Sequence, residues 1–342
     1  MKGLKIALIV ILTVLALCLT AVLIYCLPGG GKKLGWEWKS GDPFCTLQNT
    51  RELDVTDVSQ LKVDFSKTGC DIIFCETEGE ALILEEYFSY KAKEEEYAAL
   101  EKTGGVVSIR RDKDRNFFGG WKREYVKLYV PGALFEQLDT LEVESGSGDV
   151  QAELLRAAAG SISASSGDVE IEVCEGDFTL STASGDINIG SCSGNLQVNS
   201  SSGDQEIGSC RGNLQTSASS GDTEIGLCQG NLSASAGSGD IQVGDAGGAA
   251  RIETGSGDIS LGVTTLGGDI DLRGSSGDAK LHLPQDCTFS FEARTTSGSI
   301  QTSFDQALSF NDKGNWAEGS VGESPQYSVS CSFASGDVRV IK

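Results

Sequence analysis

The 342-residue chain contains a single histidine, His282. In the segment KLHLPQD it falls on a strand beside a proline turn, where a solvent-facing imidazole needs no chemical role. Imidazole-based acid–base catalysis and zinc sites that combine Cys with His have little to draw on here. Positive charge is also scarce: 27 Lys and Arg stand against 49 Asp and Glu, giving a formal net charge of −22 and a pI near 4.4. Phosphate binding needs a basic face, so a nucleic-acid partner is excluded. What this charge supplies is solubility and repulsion from anionic surfaces.

Glycine, at 44 residues, is abundant and periodic. Ser-Gly-Asp recurs every 18 residues, centred on Gly167, Gly185, Gly203, Gly221, Gly239 and Gly257, with Gly148-Asp149 before the run and Gly277-Asp278 after it. Halfway through most units a second glycine appears, at Gly176-Asp177, Gly194-Asn195, Gly212-Asn213 and Gly230-Asn231. A short fixed period with a glycine corner in each half marks units that stack because none can bury its apolar face alone. Within each half the residues alternate apolar and polar, which means a short strand with one face inward. Ile189, Ile207, Ile225, Val243 and Leu261 form one apolar column; Leu196, Leu214 and Leu232 form another. A third, through Ile187, Ile241 and Ile259, is interrupted by Gln205 and Thr223.

These patterns predict an all-β fold, a parallel β-solenoid of 18-residue coils with two short strands per coil. Ala, Ser and Thr fill many inward positions, so the solenoid is narrow. The helix-favouring AELLRAAAG at 152–160 lies between two corner glycines and is therefore assigned to a coil, tertiary context overriding a weak propensity.

The corner glycines Gly167, Gly185, Gly203, Gly221, Gly239 and Gly257 suit a reversal that calls for positive φ. The aspartates behind them, Asp168, Asp186, Asp204, Asp222, Asp240 and Asp258, suit turns in which a carboxylate accepts from turn amides. Stacked carboxylates about 5 Å apart repel by up to ~1 kcal/mol per pair in water, so calcium at these six positions is the alternative to a purely structural role. Calcium-binding nonapeptide repeats carry a doubled glycine that these corners lack. No cofactor is expected otherwise.

Of eleven cysteines, two lie in the first 27 residues and nine beyond, an odd number that does not fit a complete disulfide framework. Cys174, Cys192, Cys210 and Cys228 share one repeat position and are read as a core column of small apolar fillers, with stacked disulfides as the alternative.

Residues 6–27, IALIVILTVLALCLTAVLIYCL, form an uncharged apolar run of 22 residues, long enough to span a bilayer. Neither a short signal-peptide core nor a lipoprotein cysteine context is present. The expected organisation is a cytoplasmic tip at 1–5, a transmembrane anchor at 6–27, a linker at 28–52 and an extracytoplasmic solenoid at 53–342. The solenoid divides into irregular coils and a cap (53–147), regular repeats (148–283), and C-terminal coils with a loop (284–342). Within that loop, 311–325, Trp316 is a candidate contact residue. The linker tryptophans Trp36 and Trp38 suit the membrane interface.

Catalysis would single out one coil, whereas here the motif repeats, and 18-residue coils leave no room for the cleft-building loops of solenoid lyases. Outward positions carry Asn188, Glu206, Glu224, Gln242, Gln197, Gln215 and Ser233, with no aromatic row. The chain is therefore read as a single-pass cell-membrane protein and not an enzyme, with the solenoid serving as a surface-binding, adhesion or envelope scaffold. A calcium-dependent solenoid is the second reading and a carbohydrate-active enzyme the third. Edge strands at either end of the stack could pair with a second copy.

The order of an N-terminal anchor, VDFSKTGCDIIF, VKLYVPG, repeated SGD(I/V)xI corners and a terminal CSFASGDVRV strand resembles the bacterial putative-adhesin β-solenoid domains, LiaG-like envelope proteins among them. The resemblance covers 53–342. It implies a membrane-anchored extracytoplasmic solenoid of unassigned biochemical role, and it carries over no catalytic residues.

Overall fold

A computed structural model describes residues 42–111, 122–304 and 307–342. The apolar run at 6–27 and most of the expected linker lie outside the described residues. Among the described residues no helix is long and apolar enough to cross a membrane.

Residues Asp42–Lys342 form one compact unit. Successive strands alternate between two sheets whose inward faces meet in a single core. In the regular region each strand pairs in parallel with its copy one repeat away and in strict register: Ile187↔Gln205↔Thr223↔Ile241↔Ile259 in one sheet, Leu196↔Leu214↔Leu232↔Ala250↔Ile270 in the other. Apolar columns follow directly from this register, because equal residue spacing places equal positions on the same face. The AELLRAAAG segment is part of a strand, Val150–Ala164, that serves both sheets by bending between them.

The core changes calibre along the stack. Phe65, Phe74, Phe88 and Phe135 fill its first part, Phe289, Phe291, Phe304 and Phe333 its last, and Ala218, Ala234 and Ala236 take inward places between them. Gln205, Thr216 and Thr223 are also fully buried in the middle coils. Gln205 Nε2 donates to Ser200 Oγ and to the Ser217 carbonyl, while Thr216 Oγ1 and Thr223 Oγ1 find no partner among the described residues.

Both ends depart from sequential stacking. The strand Gln60–Phe65 lies between Val106–Arg110 and Thr140–Ser145, and Asp71–Thr77 lies between Glu124–Pro131 and the start of Val150–Ala164. At the other end Tyr327–Ser335 inserts between Ile270–Ser276 and Phe289–Ser297, and Val338–Ile341 inserts between Ala279–His282 and Ile300–Thr302. These two strands, the last in sequence among the described residues, thus lie one layer inside the coil at 289–302. Antiparallel strands finish three of the four sheet ends: Thr46–Asp54, Ala99–Thr103 and Leu308–Phe310.

Two boundaries differ from the sequence expectation. The linker expected over 28–52 ends earlier, because Thr46–Asp54 is a strand paired with Ala81–Phe88. Its sequence, TLQNTRELD, lacks apolar alternation because backbone pairing holds this edge strand in place. The loop expected over 311–325 contains the strand Trp316–Val321, antiparallel to Phe289–Arg294, with Ala317 as its buried residue.

Candidate binding surface

At the Ser-Gly-Asp corners the aspartates form one continuous ladder. Asp168 N–H donates to Asp149 Oδ1 (3.0 Å), Asp186 to Asp168 (2.9 Å), Asp204 to Asp186 (2.9 Å), Asp222 to Asp204 (2.8 Å), Asp240 to Asp222 (2.8 Å) and Asp258 to Asp240 (2.7 Å). Asp71 extends the ladder at one end, and Asp278, Asp337 and Ser299 extend it at the other. Each carboxylate therefore reaches the amide of the neighbouring coil, whereas the sequence reading expected it to accept from the amides of its own turn. Stacking brings the next coil's amide closer than local folding-back would. A shorter ladder at the opposite corner runs Asp177, Asn195, Asn213, Asn231 and ends on the amide of Ala249. Asn serves as well as Asp because only one acceptor oxygen is used.

The corner glycines answer to space more than to φ. Gly221, Gly239 and Gly257 do have positive φ (142°, 144°, 155°), but Gly167, Gly185 and Gly203 do not. In every one of the six, an added Cβ would overlap the carbonyl of the glycine one coil away. A further glycine column, Gly190, Gly208, Gly226, Gly244 and Gly262, meets the same obstruction and was missed in the sequence. Its signal, Ile/Val/Leu-Gly at a fixed place in each repeat, was present throughout.

Cys174, Cys192, Cys210 and Cys228 stack in register, each a buried free thiol, with Ala246 next in the column. Burial pushes the Cys174 thiol well up. A hydrogen bond to Cys192, together with burial, pushes Cys210 up as well. Such thiols are unreactive at neutral pH. Among the described residues no group of three or more His, Cys, Asp or Glu side chains is arranged to hold a metal ion.

On the outer face, Asn199, Ser217, Ser235, Glu253, Arg273, Ser332, Arg294 and Trp316 form one cross-strand row. The row ends in a groove of about 630 Å³ lined by Arg294, Thr296, Lys313, Asn315, Trp316 and Ser332, among others. Arg294 Nε donates to Ser332 Oγ (3.1 Å). Arg273 instead pairs with Asp271 on its own strand (2.8 Å). The groove wall is a turn clamped by Asn311, whose Oδ1 accepts from the amides of Asn315 and Trp316 and whose Nδ2 donates to Asn315 Oδ1 (2.7 Å). Gly314 turns the chain at φ 67°, and Thr295 N–H and Ile300 N–H donate to the Asn315 and Gly314 carbonyls, docking the turn on the stack.

The two-sheet stack with its repeating corners is matched by the family model Toastrack DUF4097 over residues 58–245 and 232–341. The chain belongs to this family. No curated protein matches it. Three solved structures align along most of the Toastrack chain. A putative adhesin from Bacteroides fragilis is 15% identical, covers 86% of this chain and 97% of its own, and has a TM-score of 0.38. A putative lipid binding protein from Parabacteroides distasonis is 16% identical, with coverages of 88% and 98% and a TM-score of 0.36. A putative cell adhesion protein from Clostridium sporogenes is 9% identical, with coverages of 86% and 99% and a TM-score of 0.18. At these scores the likenesses carry no argument about what this Toastrack chain does.

Proposed function

We propose that the chain is a membrane-anchored protein whose solenoid stands outside the cytoplasm and acts as a non-catalytic surface for binding or scaffolding envelope polymers. The observation that supports this most is the outer face: exposed amides and hydroxyls such as Gln197, Gln215 and Ser233 repeat in register at one strand spacing, about 4.8 Å. A repeating surface suits a repeating ligand, since polar groups recur at one interval and weak contacts add along a polymer. A reaction would need one coil with converging acid, base or nucleophile groups. The uncharged run at 6–27 supplies the anchor.

The test is to treat intact cells with a membrane-impermeant amine label and with protease, then to repeat both on a variant lacking residues 6–27. The expected result is labelling and cleavage of the solenoid on intact cells, and loss of the protein from the membrane fraction in the variant. A solenoid protected until the cells are lysed would rule the proposal out.

A further inference from the structure

We propose that the groove beside Trp316 is a binding site for a carboxylated saccharide, a uronic acid within a polymer. This inference deepens, and rests on, the surface-binding reading above. The two cations at the groove are the starting point. In a chain of net charge −22, Arg294 and Lys313 are both exposed, and neither forms an ion pair among the described residues. Other arginines of the same face behave differently: Arg251 and Arg273 both reach Asp271 (3.1 and 2.8 Å). A second concavity, lined by Glu76, Glu78, Glu80 and Glu153, is acidic, so positive charge is not a general property of this protein's hollows.

The groups around the cations select the ligand class. Arg294 commits Nε to Ser332 and leaves both Nη groups for a planar two-oxygen anion, the geometry a carboxylate offers. Trp316 stands in cross-strand register with Arg294, one strand spacing away, about 4.8 Å, and is half-buried on the same outer face. An indole face beside a guanidinium suits a ring with an apolar C–H side and a carboxyl substituent, since the electron-rich aromatic face attracts the partly positive C–H edge. Asn315, Thr296 and Ser332 add neutral amide and hydroxyl groups suited to sugar hydroxyls. Glu292 and Glu318, exposed on the same face two residues along the strands from Arg294 and Trp316, repel a densely charged chain such as polyphosphate more strongly than one with a single carboxylate per sugar. The site is rigid before any ligand arrives, because Asn311 and the two docking amide bonds fix the turn that bears Lys313, Asn315 and Trp316. That reduces the ordering cost of binding.

The test uses the full chain in detergent micelles, titrated calorimetrically with tetragalacturonate, a hyaluronan tetrasaccharide, fully methyl-esterified tetragalacturonate and inorganic polyphosphate. The expected result is binding of at least one of the two acidic saccharides, with at least tenfold weaker binding of the methyl ester. Lys313→Ser should weaken binding about fivefold, the effect of losing roughly 1 kcal/mol from an exposed ion pair. Arg294→Gln should weaken it at least tenfold, because the two-point contact is lost. Lys313 is exposed and forms no ion pair among the described residues, so its replacement leaves the fold intact. Binding of neither acidic saccharide, equal binding of the methyl ester, a preference for polyphosphate, or affinity unchanged in both the Lys313 and Arg294 variants would overturn the proposal. If the solenoid is labelled on intact cells but these titrations fail, the groove is wrong and the surface location stands.

Discussion

Replacing Asp204, Asp222 and Asp240 together, once by Asn and once by Ala, separates the two roles an aspartate ladder can play. Each of the three accepts one amide hydrogen bond, from Asp222, Asp240 and Asp258. Either triple variant removes the same four carboxylate contacts, those of the pairs 186–204, 204–222, 222–240 and 240–258. At about 4.8 Å in water each pair repels by ~0.9 kcal/mol, and physiological salt roughly halves that, so both variants gain about 2 kcal/mol from relief of charge. The Asn triple keeps an acceptor at each corner, as Asn195, Asn213 and Asn231 do in the opposite ladder. The Ala triple loses three acceptors at about 1 kcal/mol each, so it should unfold about 3 kcal/mol more easily than the Asn triple. Urea unfolding followed by far-ultraviolet circular dichroism, with EDTA or with millimolar calcium at constant ionic strength, measures the difference. The Asn triple should be at least as stable as the parent chain, and calcium should change neither. An Asn triple as unstable as the Ala triple, with a parent chain stabilised by calcium, would refute the reasoning and make the carboxylates cation ligands.

Gly203→Ala should destabilise the stack by 3 kcal/mol or more despite a φ that any residue accepts, because its Cβ overlaps the Gly185 carbonyl; an unchanged urea midpoint would contradict this. Thr223→Val should stabilise by about 1 kcal/mol in the same assay, since a buried hydroxyl without a partner becomes a methyl in a column that holds Ile187 and Ile241. Arg111→Met should cost about 3–5 kcal/mol: the guanidinium, stacked 5.2 Å from the centres of Phe65 and Phe88, pairs with the buried Glu86 (2.6 Å) and Glu124 (3.1 Å), and both carboxylates would lose it. Maleimide followed by mass spectrometry should modify Cys45, Cys75 and Cys287 in the native chain, whereas Cys70, Cys174, Cys192, Cys210, Cys228 and Cys331 react only after unfolding; native labelling of Cys210 would contradict the buried column.

The regular coils were legible because period and register are the same information: an 18-residue spacing with apolar alternation determines which residues share a face, and Ile207, Ile225 and Val243 lie where the alternation puts them. The ends were not legible for the complementary reason. Insertion of Tyr327–Ser335 between two earlier strands is decided by pairing across about 60 residues, and no local pattern reports it. Thr46–Asp54 was hidden by its polarity, and the strand at Trp316 by the glycines, serines and asparagines around it. For the corner glycines the sequence suggested only positive φ, because close approach of one coil to the next is a property of the stack and not of the turn. In the groove, Trp316 stood out in sequence as an isolated aromatic. Arg294 and Lys313 did not, since the lack of a carboxylate partner among the described residues emerges only when the strands are side by side.

The position of the final strands also dictates an order of assembly. A simple solenoid can grow coil by coil as the chain emerges, each new layer resting on the last. Here residues 327–341 must slip between a coil at 270–282 and one at 289–302 that both precede them in the chain. A chain delivered N-terminus first can therefore build its regular coils early but holds the layer at 289–302 and the Trp316 groove unseated until residues 327–341 arrive. A product cut before residue 327 would be left with a gap inside the stack, so the arrival of this one segment is what closes the surface.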